Sequence, residues 1–148
     1  MSPADAAPSP GGGWDFSDDS TLIRLLARNA ESFPDRAAMR EKSKGIWQEI
    51  TWSELLDVVL SFAAGLESLG FEPGDTMLVV GDNRPRLYAG MLSAGALKGY
   101  AMPAFADATL DEINHFVHEA GARFALAEDQ EQVDKLLELR AQGAAIEH

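Results

Sequence analysis

The stretch MLVVGDNRPRLYAGMLSAGALKGYAMPAF, from Met77 to Phe105, decides the fold. It opens on a continuous apolar run, Met77-Leu-Val-Val80, the pattern of a parallel strand buried on both faces. Gly81-Asp-Asn-Arg-Pro85 follows directly. Asp82 or Asn83 is placed to cap a helix, and Pro85 suits a first helical turn, where a missing N–H costs nothing. The helix predicted from Leu87 to Leu97 is dominated by small residues, which let it approach its neighbours closely, so it belongs deep in the domain. Tyr100-Ala-Met-Pro-Ala-Phe105 predicts a second strand running into a loop.

The same pattern recurs downstream. Thr109-Leu-Asp-Glu112 is a capping box, in which hydroxyl and carboxylate satisfy the orphan N–H groups of a helix start. Its helix should bury Ile113, Phe116, Val117 and Ala120, end at Gly121, and lead into a strand at Arg123–Ala127. Asp129 with Gln132 caps a last helix, expected to bury Val133, Leu136 and Leu137. Behind Gly143, Ala144-Ala-Ile146 reads as the apolar start of a further strand. Successive strand-to-helix units imply right-handed crossovers and a parallel sheet carrying helices, so the fold class is α/β.

Upstream, Thr51-Trp-Ser-Glu54 is another capping box. The helix behind it carries Leu55, Leu56, Val59, Phe62, Ala63, Leu66 and Leu69 as its apolar face, and Gly70 stands where a left-handed C-cap belongs. Ala37–Arg40 and Ile46–Ile50 predict a hairpin around Lys42-Ser-Lys-Gly45. Leu22, Leu25 and Leu26 recur at helical spacing from Ser20, and Pro34 ends that helix after Phe33. Residues 1–19, rich in Ala, Pro, Ser and Gly, are expected to form a disordered tail, leaving 20–148 as one domain.

Bulk composition narrows the function classes. A formal net charge of −12 and a pI near 4.5 argue against nucleic-acid binding, which needs clustered Lys and Arg. The chain has no cysteine, which removes disulfides, thiolate chemistry and Cys-ligated zinc, and suits a reducing, cytoplasmic setting. Its N-terminus lacks the basic and apolar regions of a secretory signal. The uncharged run Leu87–Leu97 is well short of the ~20 apolar residues of a membrane span, so it reads as a buried helix in a soluble protein.

Individual residues offer little chemistry. His115 and His118 share a helix face with Glu112 and Glu119, a spacing that can hold a metal when other helices add ligands. It is also what a solvated face looks like, and no further ligand cluster accompanies it. Gly81-Asp82-Asn83 lies where open α/β sheets bind ligands, yet lacks the spaced glycines that admit a pyrophosphate, which leaves it as a helix cap. Trp47 and Trp52 can stack a ligand or simply pack. Gly11-Gly-Gly13 has neither a preceding strand nor a following Lys-Ser/Thr, so it is a linker. Asp18-Asp19 and Glu128-Asp129 sit at helix starts, where the macrodipole explains them. No catalytic, cofactor-binding or metal-binding residue emerges.

Several phrases taken in order resemble one family. Thr21-Leu-Ile-Arg-Leu-Leu-Ala-Arg-Asn-Ala30 with Phe33-Pro-Asp-Arg36, Lys44-Gly-Ile-Trp-Gln-Glu-Ile-Thr-Trp-Ser-Glu-Leu55, Leu69-Gly-Phe-Glu-Pro-Gly-Asp75 and Val80-Gly-Asp-Asn-Arg-Pro85 are similar to the opening of AMP-forming acyl-CoA synthetases. Ala127-Glu-Asp-Gln-Glu-Gln-Val-Asp-Lys-Leu-Leu-Glu138 resembles the long-chain fatty acid–CoA ligases among them. Tyr100 and Met102 depart from the pattern, being bulkier than the small and branched residues usual there.

The resemblance implies a two-step reaction. A fatty acid carboxylate attacks the α-phosphate of ATP to give an acyl-adenylate, and coenzyme A then takes the acyl group. Mg²⁺ and cationic donors serve such chemistry. The family's Ser/Thr/Gly-rich phosphate loop, its nucleotide motif and its C-terminal catalytic lysine have no counterpart in this sequence and are expected to follow His148. The chain therefore reads as an incomplete N-terminal AMP-binding domain that binds none of ATP, Mg²⁺ or coenzyme A alone. Long-chain substrates partition into bilayers, which leaves room for peripheral membrane contact, although no basic amphipathic helix is visible. The alternative is a free-standing, non-catalytic scaffold or interaction module of the same ancestry.

Overall fold

A computed structural model describes residues 21–148, so the expected tail and the Gly11–Gly13 linker lie outside the described residues. The elements run α1 (Leu22–Ser32), β1 (Ala37–Ser43), β2 (Ile46–Thr51), α2 (Trp52–Ser68), β3 (Thr76–Val80), α3 (Pro85–Ala96), β4 (Tyr100–Ala104), α4 (Leu110–Ala120), β5 (Phe124–Ala127) and α5 (Gln130–Ala141). β1 and β2 pair antiparallel, while β4, β3 and β5 form a parallel sheet with β3 at its centre.

The apolar run that forms β3 is buried on both sides. Leu78 and Val80 face a cluster built with Ile113 and Val117 of α4 and Leu136 and Leu139 of α5. Met77 and Val79, alternating with them, face Leu66 of α2, Leu87 and Ala94 of α3, and Phe124. Side chains of a strand point alternately up and down, so one five-residue strand anchors both helical layers. Gly90 allows the close approach expected of α3, because a Cβ there would overlap the Leu126 side chain of β5.

A third cluster joins α1, α2 and the hairpin: Leu26, Leu55, Val59 and Ala89 are buried, with Met39, Ile50 and Trp52 packed around them. The hairpin closes through Lys44 (φ 50°) and Gly45 (φ 81°), the backbone of a primed turn that matches strand twist. Both capping boxes form. Glu54 Oε2 accepts from the Thr51 N–H at 2.9 Å, and Glu112 Oε2 accepts from the Thr109 N–H at 2.8 Å. Those bonds, foremost the backbone one, hold both carboxyls below their ordinary value.

Three expectations need correction. In α5 the buried positions are Gln132, Leu136 and Leu139, whereas Val133 and Leu137 are 36% and 55% exposed. The helix is rotated so that the Gln132 amide can donate to the Ala106 carbonyl at 3.0 Å. In α2 the core takes Leu55, Val59, Ala63 and Leu66, but Leu69 is half exposed, because it lies past the helix end, at the C-cap. Neither Asp82 nor Asn83 caps α3. Its N-cap is Arg84, with no side-chain cap bond, because the loop before it is held from β5 instead.

Beyond β5 the backbone begins to pair again. His148 N–H donates to the Arg123 carbonyl at 3.2 Å, and Ala125 N–H donates to the His148 carbonyl at 2.9 Å. That exchange is the pattern of a parallel bridge on the outer edge of β5. Ile146 buries its side chain beneath it, and the His148 ring stacks on Phe124 at 5.3 Å between centroids. Among the described residues no helix is long and apolar enough to cross a membrane.

Candidate functional site

The sheet order decides where a crevice opens. From the central β3 the chain passes through α3 to β4, then through α4 across to β5 on the other side. α3 packs on one face of the sheet and α4 on the other. The loops leaving the carboxyl ends of β3 and β4 therefore part in opposite directions, and a cleft forms between them.

That cleft, about 590 Å³, has an apolar floor of Val79, Leu87, Met91 and Pro103, with Tyr88 and Phe105 beside it. Its rim carries Asp82, Asn83 and Asp107. Phe105 is 82% exposed, an unusual position for a phenylalanine unless something lies against it.

One carboxylate sets the shape of the first rim loop. Glu128, just after β5, accepts from the backbone N–H of Asp82 and from Nε of Arg84. Its own N–H donates to the Val80 carbonyl at 3.1 Å, so the residue bridges the carboxyl ends of β3 and β5. Arg84 also reaches Glu41 of β1 at 3.8 Å, which ties the hairpin to the sheet. The hydrogen bond to Glu128 and then its charge raise the Arg84 guanidinium further above its ordinary value. Gly81 makes this possible: its φ is 149°, and a Cβ there would collide with the Glu128 side chain.

The second rim loop is held from α5. Gln132, buried, donates to the Ala106 carbonyl, and Lys135 Nζ donates to the carbonyls of Ala106 and Ala108 at 3.3 Å. Both walls of the cleft are thus fixed by side chains remote in sequence, Glu128 for one and Gln132 with Lys135 for the other.

The other candidates separate. His115 and His118 are exposed on α4, and no metal-holding group of His, Asp and Glu occurs among the described residues. Trp52 packs into the α1–α2 cluster, while Trp47 is 64% exposed on the hairpin. Gly81-Asp82-Asn83 does line the cleft, though not as a helix cap. Sequence reasoning misses Phe105, Asp107 and Glu128 as its companions, because local pattern marks Glu128 only as a helix-start charge.

No Lys or Arg lines the cleft, so it offers two carboxylates and an amide where a triphosphate with its magnesium needs cationic donors. The residues present do not fit that group. An apolar floor under an acidic rim suits an uncharged or amine-bearing organic moiety.

Residues 26–148 match the family model described as AMP-binding enzyme. The chain is 29% identical over 129 residues to the uncharacterized protein Rv1549 of Mycobacterium tuberculosis, covering 87% of this chain and 70% of that one. It is 31% identical over 109 residues to the phenyloxazoline synthase MbtB of Mycobacterium sp. (strain MCS), covering 74% of this chain and 9% of MbtB. Among solved structures, VinN in complex with L-aspartate superposes with a TM-score of 0.74 at 24% identity, over 81% of this chain and 30% of VinN. The chain thus spans under a third of that structure, and that likeness is one of fold.

Proposed function

The chain belongs to the AMP-binding enzyme family, and we propose that it serves as the N-terminal part of an enzyme that activates a carboxylic acid as its acyl-adenylate. The observation that carries this is the family match across residues 26–148, on a chain whose own cleft lacks every cation the phosphate chemistry needs. In this reading the chain supplies the first parallel unit of the sheet, and its cleft walls the organic, non-phosphate portion of a substrate. Triphosphate handling belongs to other segments of such an enzyme.

We propose a long-chain fatty acid as the substrate and coenzyme A as the acceptor; the phrase Ala127–Glu138 supports this choice. A second reading, an amino acid or aryl acid, is favoured by the likeness to MbtB and to VinN with its L-aspartate. Both readings share the adenylation step.

A chimera tests the proposal. This chain replaces the matched segment of VinN, and carboxylate-dependent ATP–pyrophosphate exchange is measured with L-aspartate, benzoate and palmitate. Exchange above background supports the scaffold role, and the acid that drives it best chooses between the substrate readings. A folded chimera without exchange for any acid overturns it.

A further inference from the structure

Both rims of the cleft are tied to one short stretch, the turn from β5 into α5. Glu128, the residue after β5, holds the Asp82 N–H and the Arg84 side chain of the first rim. Gln132 and Lys135, on the opening turns of α5, hold the Ala106 and Ala108 carbonyls of the second. The two loops leave different strands and part in opposite directions, yet these anchors all lie between Glu128 and Lys135.

That stretch is built to move as a unit. Its strand end is fixed, because the Glu128 N–H continues the β3–β5 pairing by donating to the Val80 carbonyl at 3.1 Å. Its helix start is joined to the strand end by Asp129, the N-cap, whose Oδ1 accepts from the Gln132 N–H at 3.1 Å. Gln132 and Lys135 stand three apart and share a face of α5, and Lys135 Nζ lies 3.5 Å from Gln132 Oε1. Glu131 meets the same ammonium at 3.0 Å. Leu136 and Leu139 seat the helix in the cluster that holds Leu78 and Val80 of β3.

The anchors cannot easily trade their partners for water. The Gln132 side chain is buried, and a buried amide parted from its carbonyl loses more than the bond is worth. The Glu128 carboxylate is mostly covered, and the backbone of Gly81 lies against it. When the turn shifts, each rim therefore follows its anchor.

We infer that the two rims of the cleft open and close together, coupled through the β5–α5 turn. Asp129 is the joint, because its side chain bonds within its own helix rather than to either rim. A molecule bearing on Asp82 or Asn83 then shifts Phe105 and Asp107 as well, and linkage makes the effect reciprocal. The coupling is a property of the fold and holds for whatever class of molecule the cleft takes.

The test is amide hydrogen exchange in the full chain, followed by NMR at one N–H on each rim. On the first it is Asp82, bonded to Glu128; on the second it is Ala108, bonded to the Phe105 carbonyl at 3.1 Å. Such rates report local opening. Asp129→Ala speeds both amides about fivefold, the size of a typical N-cap contribution. Thr51→Ala removes the corresponding cap from α2, away from the cleft, and leaves both amides at the parent rate. Lys135→Met, aimed at the second rim, speeds the Asp82 amide as well. Acceleration confined to Ala108 in the Asp129→Ala or Lys135→Met chain overturns the inference. So does equal acceleration of both amides by Thr51→Ala, because the rims then open only with the whole chain.

Discussion

Replacing Gly81 with alanine tests how the cleft is held. The backbone there has φ 149°, a region that side chains with a Cβ rarely adopt. Forcing alanine into it costs about 1–3 kcal/mol. The new Cβ would overlap Glu128 Cβ, lie 2.8 Å from Glu128 Oε2 and 3.2 Å from Leu87 Cδ2. Glu128 Cβ cannot swing aside without moving the end of β5, so overpacking adds about 1–3 kcal/mol. The sum, about 2–6 kcal/mol, is a large part of the ~5–15 kcal/mol that stabilises a typical domain. Two other glycines separate the terms. Gly90 is helical, and its added Cβ meets only side-chain atoms, of Leu126 and Met77. Overpacking of about 1–3 kcal/mol is there offset by ~1 kcal/mol of helix propensity. Gly65 is helical with nothing within 4 Å, so alanine there stabilises by about 0.5–1 kcal/mol. Urea unfolding with an unchanged slope measures all three. A Gly81→Ala chain as stable as the parent, with the other two behaving as stated, would refute the role given to the Glu128 latch.

Acid titration of stability should track the capping boxes. Glu54 and Glu112 have carboxyls lowered from the ordinary 4.5 by their threonine partners. A lowered folded-state pKa gives stability that is fully present above the ordinary, unfolded-state value and is lost as pH falls from there through the folded-state one. The urea midpoint therefore drops as pH falls below 4.5, and Glu54→Gln with Glu112→Gln flattens that part of the profile. An unchanged profile would remove the boxes as its cause. Ile113, fully buried between α4 and β3, should cost about 2–5 kcal/mol when cut to alanine. A loss under 1 kcal/mol, roughly the effect of a surface change, would contradict the packing described. Lys135→Met removes the bonds to the Ala106 and Ala108 carbonyls, so hydrogen exchange at the Ala108 amide, which bonds Phe105 O at 3.1 Å, should speed up severalfold. Unaltered exchange would mean that Gln132 alone holds the loop.

How legible was all this in the residues? The strands and helices were, because each rests on local chemistry: the apolar run of β3, Thr51 and Glu54, Thr109 and Glu112, Gly121 at φ 59°. Helix faces were legible only where tertiary contacts agreed with periodicity. α4 buries Ile113 and Val117 as expected and leaves Phe116 and Ala120 only half-buried, while α5 turns a glutamine inward, because a loop carbonyl from β4 needs a donor. The cleft was not legible. It depends on strand order, β4-β3-β5, which no local pattern encodes, and on Glu128 reaching a loop 46 residues away. Phe105 looked like the end of a strand and proved to be an exposed wall.

The cleft's role can be measured directly, because the chain has no cysteine of its own. In a VinN chimera stripped of its native cysteines and retaining exchange activity, Asn83→Cys places one thiol on the cleft rim, and Leu137→Cys places one on the outer face of α5. Alkylation rates are followed with and without ATP, the best carboxylic acid and coenzyme A. If the cleft walls a substrate, these ligands slow labelling of Asn83→Cys at least tenfold and leave Leu137→Cys untouched. Equal labelling of Asn83→Cys with and without them, in a chimera that still turns over, would contradict the account.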